Sequence, residues 1–530
     1  MFKSHIVPEQ KPNTAVILSA IASGLLLTAS FPDYGYSWMA WFALFPLLYT
    51  SRNLSPRHAI LTGFITGFSH YLTLIYWLVT TMSDYGHLPL PLCILLLLLL
   101  SGYLSLYIAL FTFALSWFRP VNAVYVSAAP FLWVAVEYLR TFLFTGFPWE
   151  LLGHSQYTSL PIIQLSDITG VYGISFLIVL VNSSVLTVGL FFSGKDGRGK
   201  PLVPKTLALV SAGTAVLCVG LAAVYGYARI EKTDLQKSTA GKKRIAVIQG
   251  NVDQSLKWET AFQLETIDKY MGLSFSSLKD NPELIIWPET ATPFYFLHQY
   301  ESKLSAIVQQ GIKQAGTWFL IGSPANVQQN GSELYLNSAY LVNPEGTEAG
   351  RYDKVHLVPY GEYVPLRKWF PFVDKLVYGI GDFSSGKKGA TVSWKDVKLG
   401  VQICFEVIFP HLARAAVNNG AGILINITND AWFGRSSAPY QHLSMTVFRA
   451  VENRRALVRC ANTGVSCFVD PSGRMFSPTP LYSDEVVTRD VPVMKTEPTF
   501  YTRFGDVFAV VCTIAAFILT ALKQIRPSRE

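Results

Sequence analysis

The segment Val397–Glu406 has the sequence Val-Lys-Leu-Gly-Val-Gln-Ile-Cys-Phe-Glu, in which an apolar run ends at a cysteine. A short apolar run of this kind is typical of a buried β-strand, here Val397–Ile403. Cys404 therefore stands at the carboxyl end of a predicted strand, where ligand sites of α/β proteins form. A lone buried thiol is more often inert, so this position needs support from other residues.

The same apolar pattern recurs on both sides of this segment. Further strands are predicted at Arg244–Gln249, Leu284–Trp287, Trp318–Gly322, Tyr335–Val342, Ile423–Thr428, Leu457–Ala461 and Ser466–Val469. Helices are predicted between them at Trp258–Leu278, Leu304–Gln314, Phe409–Asn419 and Tyr440–Arg455. This alternation predicts an α/β domain with a mixed sheet, which we place at residues 231–505. Its first residues, Glu231–Gly241, are predicted to form a polar linker.

Two other polar residues of this domain stand out by their position. Glu289 follows a predicted strand, and Lys354 lies in the predicted loop segment Arg351–Pro359. Taken alone, Glu289 could cap a helix or pair with a surface arginine, and Lys354 could be a solvated cation. A carboxylate, an ammonium and a thiol brought together would supply a general base, an oxyanion partner and a nucleophile.

The part of the chain before residue 230 is strongly apolar. The 530 residues are 50% hydrophobic and only 15% charged, whereas soluble domains contain about 25% charged residues. A membrane-spanning helix needs about 20 mostly apolar residues. Eight spans are predicted, at Thr14–Ser30, Tyr36–Thr50, Ala59–Thr81, Leu88–Phe118, Ala123–Phe144, Leu160–Phe192, Thr206–Tyr227 and Val507–Leu522. We therefore expect a multi-span α-helical membrane domain at 1–230 with seven helices, and an eighth helix with a tail at 506–530.

Lysine and arginine indicate the orientation, because they collect in cytoplasmic loops. They occur at alternate ends of the predicted spans, at Lys3, Lys11, Arg52, Arg57, Arg119, Lys195, Arg198, Lys200, Lys205, Lys523, Arg526 and Arg529. The opposite short loops, around Asp33, Asp84 and Glu150, contain none. This pattern predicts that both termini are cytoplasmic and that residues 231–505 lie outside.

Composition also excludes several kinds of site. The formal net charge is +8, but no basic stripe with interleaved aromatic residues is present, so no nucleic-acid binding is expected. The six cysteines form neither a disulfide framework nor a paired zinc motif. No His-Glu-x-x-His pattern occurs. We therefore expect no metal and no cofactor.

Several motifs at compatible spacing carry a resemblance to a known family. They are Gln249–Val252, Trp287–Glu289, Tyr352–Lys354, Pro359–Pro365, Cys404–Glu406 and Asn429–Gly434. On these motifs the chain resembles the carbon–nitrogen hydrolase, or nitrilase, superfamily, whose catalytic Glu, Lys and Cys occur in this chain order. Together with the multi-span N-terminal part, they resemble the apolipoprotein N-acyltransferases within it. The chain departs at Phe405, where family members commonly have tyrosine.

The resemblance implies an α-β-β-α sandwich and a role for each matching residue. Glu289 would be the general base, Lys354 the oxyanion partner and Cys404 the nucleophile. The backbone N–H of Phe405 would be a second oxyanion donor, and Glu362 would orient the lysine. Two further positions, Glu406 and Trp258, match residues linked to substrate handling.

The resemblance also implies an activity and its partners. A fatty acyl chain would pass from a phospholipid, with phosphatidylethanolamine as the expected donor, through a thioester to the N-terminal amine of a diacylglyceryl-cysteine apolipoprotein. The enzyme would lie in a bacterial inner membrane, with its catalytic domain in the periplasm. We expect a monomer, because the substrates are single lipids and the sequence has no zipper-like repeat. Two alternatives remain open: a membrane-anchored amidase or nitrilase that releases ammonia, and a transporter or receptor with a degenerate binding domain.

Overall fold

The computed structural model describes residues 12–195, 199–254, 257, 259–297, 303–329, 332–363 and 383–525. These residues form two compact units. The first contains the described residues of Met1–Val79, Pro89–Arg229 and Asp506–Glu530, and the second those of Thr80–Leu88 and Ile230–Gly505. The twelve strands that the structure describes all belong to the second unit.

The first unit is built from apolar helices. In chain order, the helices before the first strand are α1 (Thr14–Ala29), α2 (Ala40–Ala43), α3 (Phe45–Ser51), α4 (Pro56–Leu74), α5 (Leu78–Thr80), α6 (Leu90–Ser116), α7 (Ala123–Phe142), α8 (Leu160–Ile163), α9 (Ser166–Thr169), α10 (Val171–Phe192) and α11 (Lys205–Thr239). By length and composition, α6, α10 and α11 are able to cross a membrane, and α4 with the bent segment after it is a fourth candidate. The count of eight spans stays a prediction.

Three of the predicted spans are interrupted. The predicted span Ala59–Thr81 is bent by 59° between α4 and the helical segment Leu78–Tyr85. The predicted span Tyr36–Thr50 is divided into three short helices. The predicted span Leu160–Phe192 is divided into α8, α9 and α10, with Gly170 at φ +62° before α10. Glycine adopts this backbone conformation without steric cost, which allows the change of direction there.

The predicted polar linker Glu231–Gly241 is wrong, because α11 continues to Thr239. In this last part, Lys237 Nζ lies 2.7 Å from Asp234 Oδ1. Residues three positions apart share one face of a helix, so this pair supports the helical conformation. Asp234 also accepts from Arg474 Nη1 at 2.7 Å. Ion pairs therefore stabilise the helix beyond the point where its apolar pattern ends.

The second unit contains two six-stranded sheets. The first consists of β1 (Lys242–Gln249), β2 (Leu284–Ile286), β3 (Trp318–Gln329), β4 (Ser332–Val342), β5 (Glu348–Asp353) and β12 (Glu485–Pro492), in the order β12-β1-β2-β3-β4-β5. The second consists of β6 (Val392–Trp394), β7 (Val397–Ile403), β8 (Ala421–Thr428), β9 (Ala456–Ala461), β10 (Cys467–Val469) and β11 (Met475–Phe476), in the order β11-β10-β9-β8-β7-β6. The strands β1 to β3 are parallel, as are β7 to β9.

The two sheets pack against each other and are covered by helices. The thiol of Cys460 on β9 donates to the carbonyl oxygens of Ile248 and Ile286 in the other sheet, at 3.4 and 3.2 Å. Helices α12 (Thr260–Ser277) and α13 (Lys303–Ala315) lie on the first sheet, and α14 (Pro410–Asn418) and α15 (Ala438–Asn453) on the second. The short α16 (Phe500–Phe504) precedes the apolar α17 (Val507–Ile525). The structure confirms the expected α/β fold, with two sheets between layers of helices.

Candidate active site

Three of the predicted site residues lie just beyond the carboxyl ends of strands. Glu289 follows β2 after two residues, while Lys354 directly follows β5 and Cys404 directly follows β7. All three are buried, with exposed fractions of 5%, 1% and 8%. Burial matters here because charges act more strongly on one another where water is excluded.

The ammonium of Lys354 lies between two carboxylates. Its Nζ is 2.9 Å from Glu362 Oε1 and 3.4 Å from Glu289 Oε1. Asn337 on β4 connects the same two oxygens, because its Nδ2 donates to each of them at 2.8 Å. Two neighbouring carboxylates would otherwise repel each other. The structure thus brings Glu289, Lys354 and Glu362 into one hydrogen-bonded cluster.

The second carboxylate oxygen of Glu289 is also held. The backbone N–H of Asn429, which follows β8, donates to Glu289 Oε2 at 3.0 Å. The next residue in the chain, Thr290, has φ +47°, a conformation that L-residues rarely adopt. Both oxygens of the carboxylate therefore have a fixed direction, and the backbone that carries them is constrained.

Gly322 on β3 allows the close approach of this backbone. A Cβ at Gly322 would lie 2.2 Å from the Pro288 carbonyl oxygen and 2.7 Å from the Glu289 Cα. We expect Gly322→Ala to lower the free energy of unfolding by about 1–3 kcal/mol and to reduce activity, because Glu289 must shift. Thermal unfolding measures the first effect, and the rate of the catalysed reaction measures the second.

Gly272→Ala is the matched control for this substitution. Gly272 lies within α12, and a Cβ there would meet no heavy atom within 4 Å. Alanine is favoured over glycine in helices by up to about 1 kcal/mol, so this variant should be at least as stable as the parent. Equal stability and activity of Gly322→Ala and Gly272→Ala would contradict the account of Glu289.

Burial and the neighbouring charges together set the pKa of the Cys404 thiol. Burial raises the pKa of the Cys404 thiol, the Glu289 carboxylate raises it further, and the Lys354 ammonium opposes both. Burial lowers the pKa of Lys354, but Glu362, Glu289 and the thiol raise it more, so that it lies above its ordinary value. The resting site therefore holds a protonated thiol and a charged ammonium, and the thiol needs a base before it can attack.

Glu406 ties the lysine loop to the end of β7. It is fully buried, and its carboxylate accepts from the backbone N–H groups of Val355 and His356, at 2.6 and 3.1 Å. It also accepts from the N–H of Ile403 at 2.7 Å and from the Tyr352 hydroxyl at 3.0 Å. Burial raises the pKa of Glu406 to about 7, against the opposing effect of the backbone donors.

We expect Glu406→Gln to destabilise the domain and to slow the reaction. The glutamine NH₂ would face N–H donors, which leaves at least one buried donor without an acceptor and costs about 1–3 kcal/mol. Thermal unfolding should show the loss, whereas Glu345→Gln, on an exposed turn, should not. An unchanged unfolding temperature in Glu406→Gln would contradict this role.

Of the two remaining predicted site residues, the structure describes Phe405 but not Trp258. Phe405 is buried beside Cys404 in the chain, and its ring packs 5.3 Å from that of Phe409 and 6.0 Å from that of His356. Trp258 lies outside the described residues, so its role stays a prediction. The phenyl ring of Phe405 is thus part of an aromatic cluster.

Sequence reasoning missed several polar residues around the cluster. Asn337 interrupts the apolar strand β4, and this interruption is a signal that could have identified it. Lys257 is fully buried, and its Nζ donates to Thr290 Oγ1 at 2.9 Å and lies 3.4 Å from the Glu289 carbonyl oxygen. Burial lowers the pKa of Lys257 to about 7, while Glu289 opposes the shift. His442 on α15 lies behind Cys404 and was also missed.

Known families match both parts of the chain. The model of the apolipoprotein N-acyltransferase N-terminal domain matches residues 23–184, and the carbon-nitrogen hydrolase model matches residues 244–501. The apolipoprotein N-acyltransferase of Geobacter metallireducens is 44% identical over 96% of both chains. That of Chlorobaculum tepidum is 31% identical, again over 96% of both chains.

Solved structures also resemble part of the chain. A carbon-nitrogen hydrolase from Helicobacter pylori is 18% identical with a TM-score of 0.37, over 51% of this chain and 94% of its own. A variant of the amidase from Nesterenkonia sp. AN1 is 19% identical with a TM-score of 0.36, over 49% of this chain and 93% of its own.

Proposed function

This chain belongs to the apolipoprotein N-acyltransferase family and is an acyltransferase of lipoprotein biosynthesis, and we propose that it acylates through a thioester on Cys404. The acyl chain comes from a phospholipid and goes to the N-terminal amine of a diacylglyceryl-cysteine apolipoprotein, which gives a triacylated lipoprotein. One observation carries the proposal: the buried ammonium of Lys354 lies 3.4 Å from Glu289 and 2.9 Å from Glu362, and Glu289, Lys354 and Cys404 each follow the carboxyl end of a strand.

The first half-reaction forms the thioester. Glu289 takes the thiol proton as Cys404 attacks the ester carbonyl of the phospholipid. The oxyanion that develops is stabilised by the Lys354 ammonium and the backbone N–H of Phe405. When the carbon–oxygen bond breaks, Glu289 returns the proton to the oxygen of the leaving lysophospholipid.

The second half-reaction transfers the acyl chain to the amine. The lipoprotein amine attacks the thioester carbonyl and gives a proton to Glu289, while Lys354 again stabilises the oxyanion. The carbon–sulfur bond breaks, an amide forms, and the Cys404 sulfur recovers the proton. A thioester suits this exchange because it reacts readily with amines and persists where water is excluded.

The membrane spans place the catalytic domain near both substrates. Each buried CH₂ group holds a lipid in the bilayer by about 0.8 kcal/mol, so neither donor nor acceptor leaves it readily. We propose that eight spans, seven in residues 1–230 and one in 506–530, hold residues 231–505 at the periplasmic face of the bacterial inner membrane. The enzyme acts there as a monomer with phosphatidylethanolamine as donor.

This orientation predicts the labelling of an exposed cysteine. Gln328 on β3 is exposed, so Gln328→Cys should react with a membrane-impermeant maleimide in intact spheroplasts. A cysteine at Lys200, in a predicted cytoplasmic loop, should react only after lysis and serves as the matched control. The reverse pattern of labelling would contradict the proposed topology.

A product assay tests the proposed activity. The purified protein is incubated with phosphatidylethanolamine and a synthetic diacylglyceryl-cysteine peptide, and the peptide mass is followed. We expect a gain of one acyl chain, which a peptide with an acetylated N-terminus should not show. Release of ammonia from amides without acylation of the peptide would instead support an amidase.

A further inference from the structure

A buried polar cluster behind the nucleophile has no part in the reaction described above. We propose that His442, held by Arg459, is a positioning residue that fixes the Cys404 carbonyl and thereby aims the Phe405 N–H at the oxyanion. The inference rests on the proposed thioester chemistry, since only an acyl transfer forms that oxyanion. It adds a role to residues on α15 and β9 that lie outside the sequence motifs.

The carbonyl oxygen of Cys404 has two side-chain neighbours. His442 Nε2 lies 3.2 Å from it, and Asn426 Nδ2 lies 3.4 Å from it. Arg459 stands behind both, because its guanidinium contacts Asn426 Oδ1 and lies 3.0 Å from His442 Nδ1. All three side chains are fully buried. The two donors are therefore held in place from behind by one guanidinium.

The contacts determine which nitrogen of His442 carries the proton. A carbonyl oxygen only accepts, so Nε2 must donate to Cys404. Nδ1 lies 3.0 Å from Arg459 Nη2, from which it accepts in the neutral ring, and 3.1 Å from Asp430 Oδ1, to which it donates in the protonated ring. Nε2 carries a proton in both forms. Burial and the Arg459 charge lower the pKa of His442, against the opposing effect of Asp430. Asp430 accepts from Arg459 Nη2 at 2.7 Å and from Thr428 Oγ1 at 2.9 Å, so its charge is satisfied without a protonated histidine.

Planarity connects this carbonyl to the oxyanion donor. The Cys404 C=O and the Phe405 N–H belong to one peptide unit, and in a trans peptide they point in opposite directions. Cys404 has φ +52°, a conformation that a cysteine rarely adopts without support. Bonds from His442 and Asn426 on one side of this unit therefore fix the direction of the N–H on the other side.

Two reactions of the same thiol separate this role from a merely structural one. Acylation by a p-nitrophenyl ester passes through a tetrahedral oxyanion, whereas alkylation by iodoacetamide displaces iodide and forms none. A residue that positions an oxyanion donor affects acylation alone. A residue that supports the thiol or the fold affects both reactions.

The test compares His442→Leu, which lacks a donor, with His442→Gln, whose amide can donate in the place of Nε2. We expect His442→Leu to slow p-nitrophenol release by ~100-fold and to leave iodoacetamide alkylation of Cys404 within about two-fold. His442→Gln should recover most of the acylation rate. Ser444→Ala on the same helix, the control, should change neither rate.

The other outcomes of this test contradict either the positioning role or the proposed function. The positioning role is overturned if His442→Leu releases p-nitrophenol at the parent rate, or if its acylation and alkylation rates fall equally. It is also overturned if His442→Gln recovers none of the acylation rate. Absence of a Cys404 thioester in the parent enzyme would overturn the proposed function itself. The two failures are distinguishable because the second is seen before any variant is made.

Discussion

Replacing Cys404 with serine is expected to lower the rate of acyl transfer by on the order of 10⁴-fold or more. A serine hydroxyl is a weaker nucleophile with a higher pKa, and the Glu289 carboxylate is too weak a base to ionise it. The fold should persist, because the substitution changes one atom at the end of β7. Lipopeptide acylation and thermal unfolding measure the two expectations separately.

Cys460→Ser provides the matched control. Cys460 is also buried, and burial raises its pKa as it does that of Cys404. Its thiol donates to backbone carbonyls between the sheets, and a serine retains a donor there. We expect this variant to keep its activity. Loss of activity in Cys460→Ser together with full activity in Cys404→Ser would contradict the assignment of the nucleophile.

Glu289→Gln is expected to slow acylation of Cys404 by roughly 10²- to 10⁴-fold near neutral pH. Burial raises the pKa of the Cys404 thiol, so little thiolate forms without a base. Hydroxide in solution can still ionise the thiol, and below the thiol pKa the thiolate fraction rises about tenfold per pH unit. The residual rate should therefore rise with pH more steeply than that of the parent enzyme.

Release of p-nitrophenol from an activated ester, from neutral to alkaline pH, measures this difference. Glu283→Gln is the control, because Glu283 precedes β2 at its opposite end and pairs with Lys243 and Lys395 on the surface. It should follow the parent profile. A Glu289→Gln variant with parent-like rates at all pH values would rule out the general base.

The carboxyl ends of β1, β7, β8 and β9 were predictable from local pattern alone, whereas β3 continues to Gln329, beyond the predicted end at Gly322. The run Val397–Ile403 contains only two polar residues, Lys398 and Gln402. The structure gives β7 the same bounds. Four strands had no such pattern: β5, β6, β11 and β12. The outer strand β12 (Glu485–Pro492) is half exposed and polar, and its pairing with β1 depends on contacts such as Arg244 with Asp490. Such partners lie far apart in the chain.

The contacts around the candidate site depend on distant partners in the same way. Asn337 reaches Glu289 across 48 positions, and Asn429 reaches it across 140. His442 reaches the Cys404 carbonyl from another helix. Residue type and spacing indicated Glu289, Lys354, Glu362 and Cys404, because these match motifs. Asn337 interrupts an apolar strand and Asn429 belongs to a matched motif, but which side chains these residues hold depended on the packing of β4 and β8. The role of His442 depended on the packing of α15.

The helices show a similar limit of local reasoning. Polar composition after Arg229 predicted a linker, yet α11 continues because Asp234 finds Lys237 on its own face and Arg474 elsewhere. The bend between α4 and the segment Leu78–Tyr85 was also missed. In that segment Thr81 Oγ1 donates to the Trp432 carbonyl at 2.8 Å, a contact that the apolar pattern does not indicate.

Mass spectrometry of the enzyme during its reaction tests the central proposal most directly. The purified protein is incubated with phospholipid, digested, and searched for a fatty-acyl adduct. We predict one acyl chain on the peptide that contains Cys404, and its loss when a diacylglyceryl-cysteine peptide with a free amine is added. An adduct on Cys460 or Cys467 instead, or an adduct on Cys404 that the amine does not remove, would contradict the account.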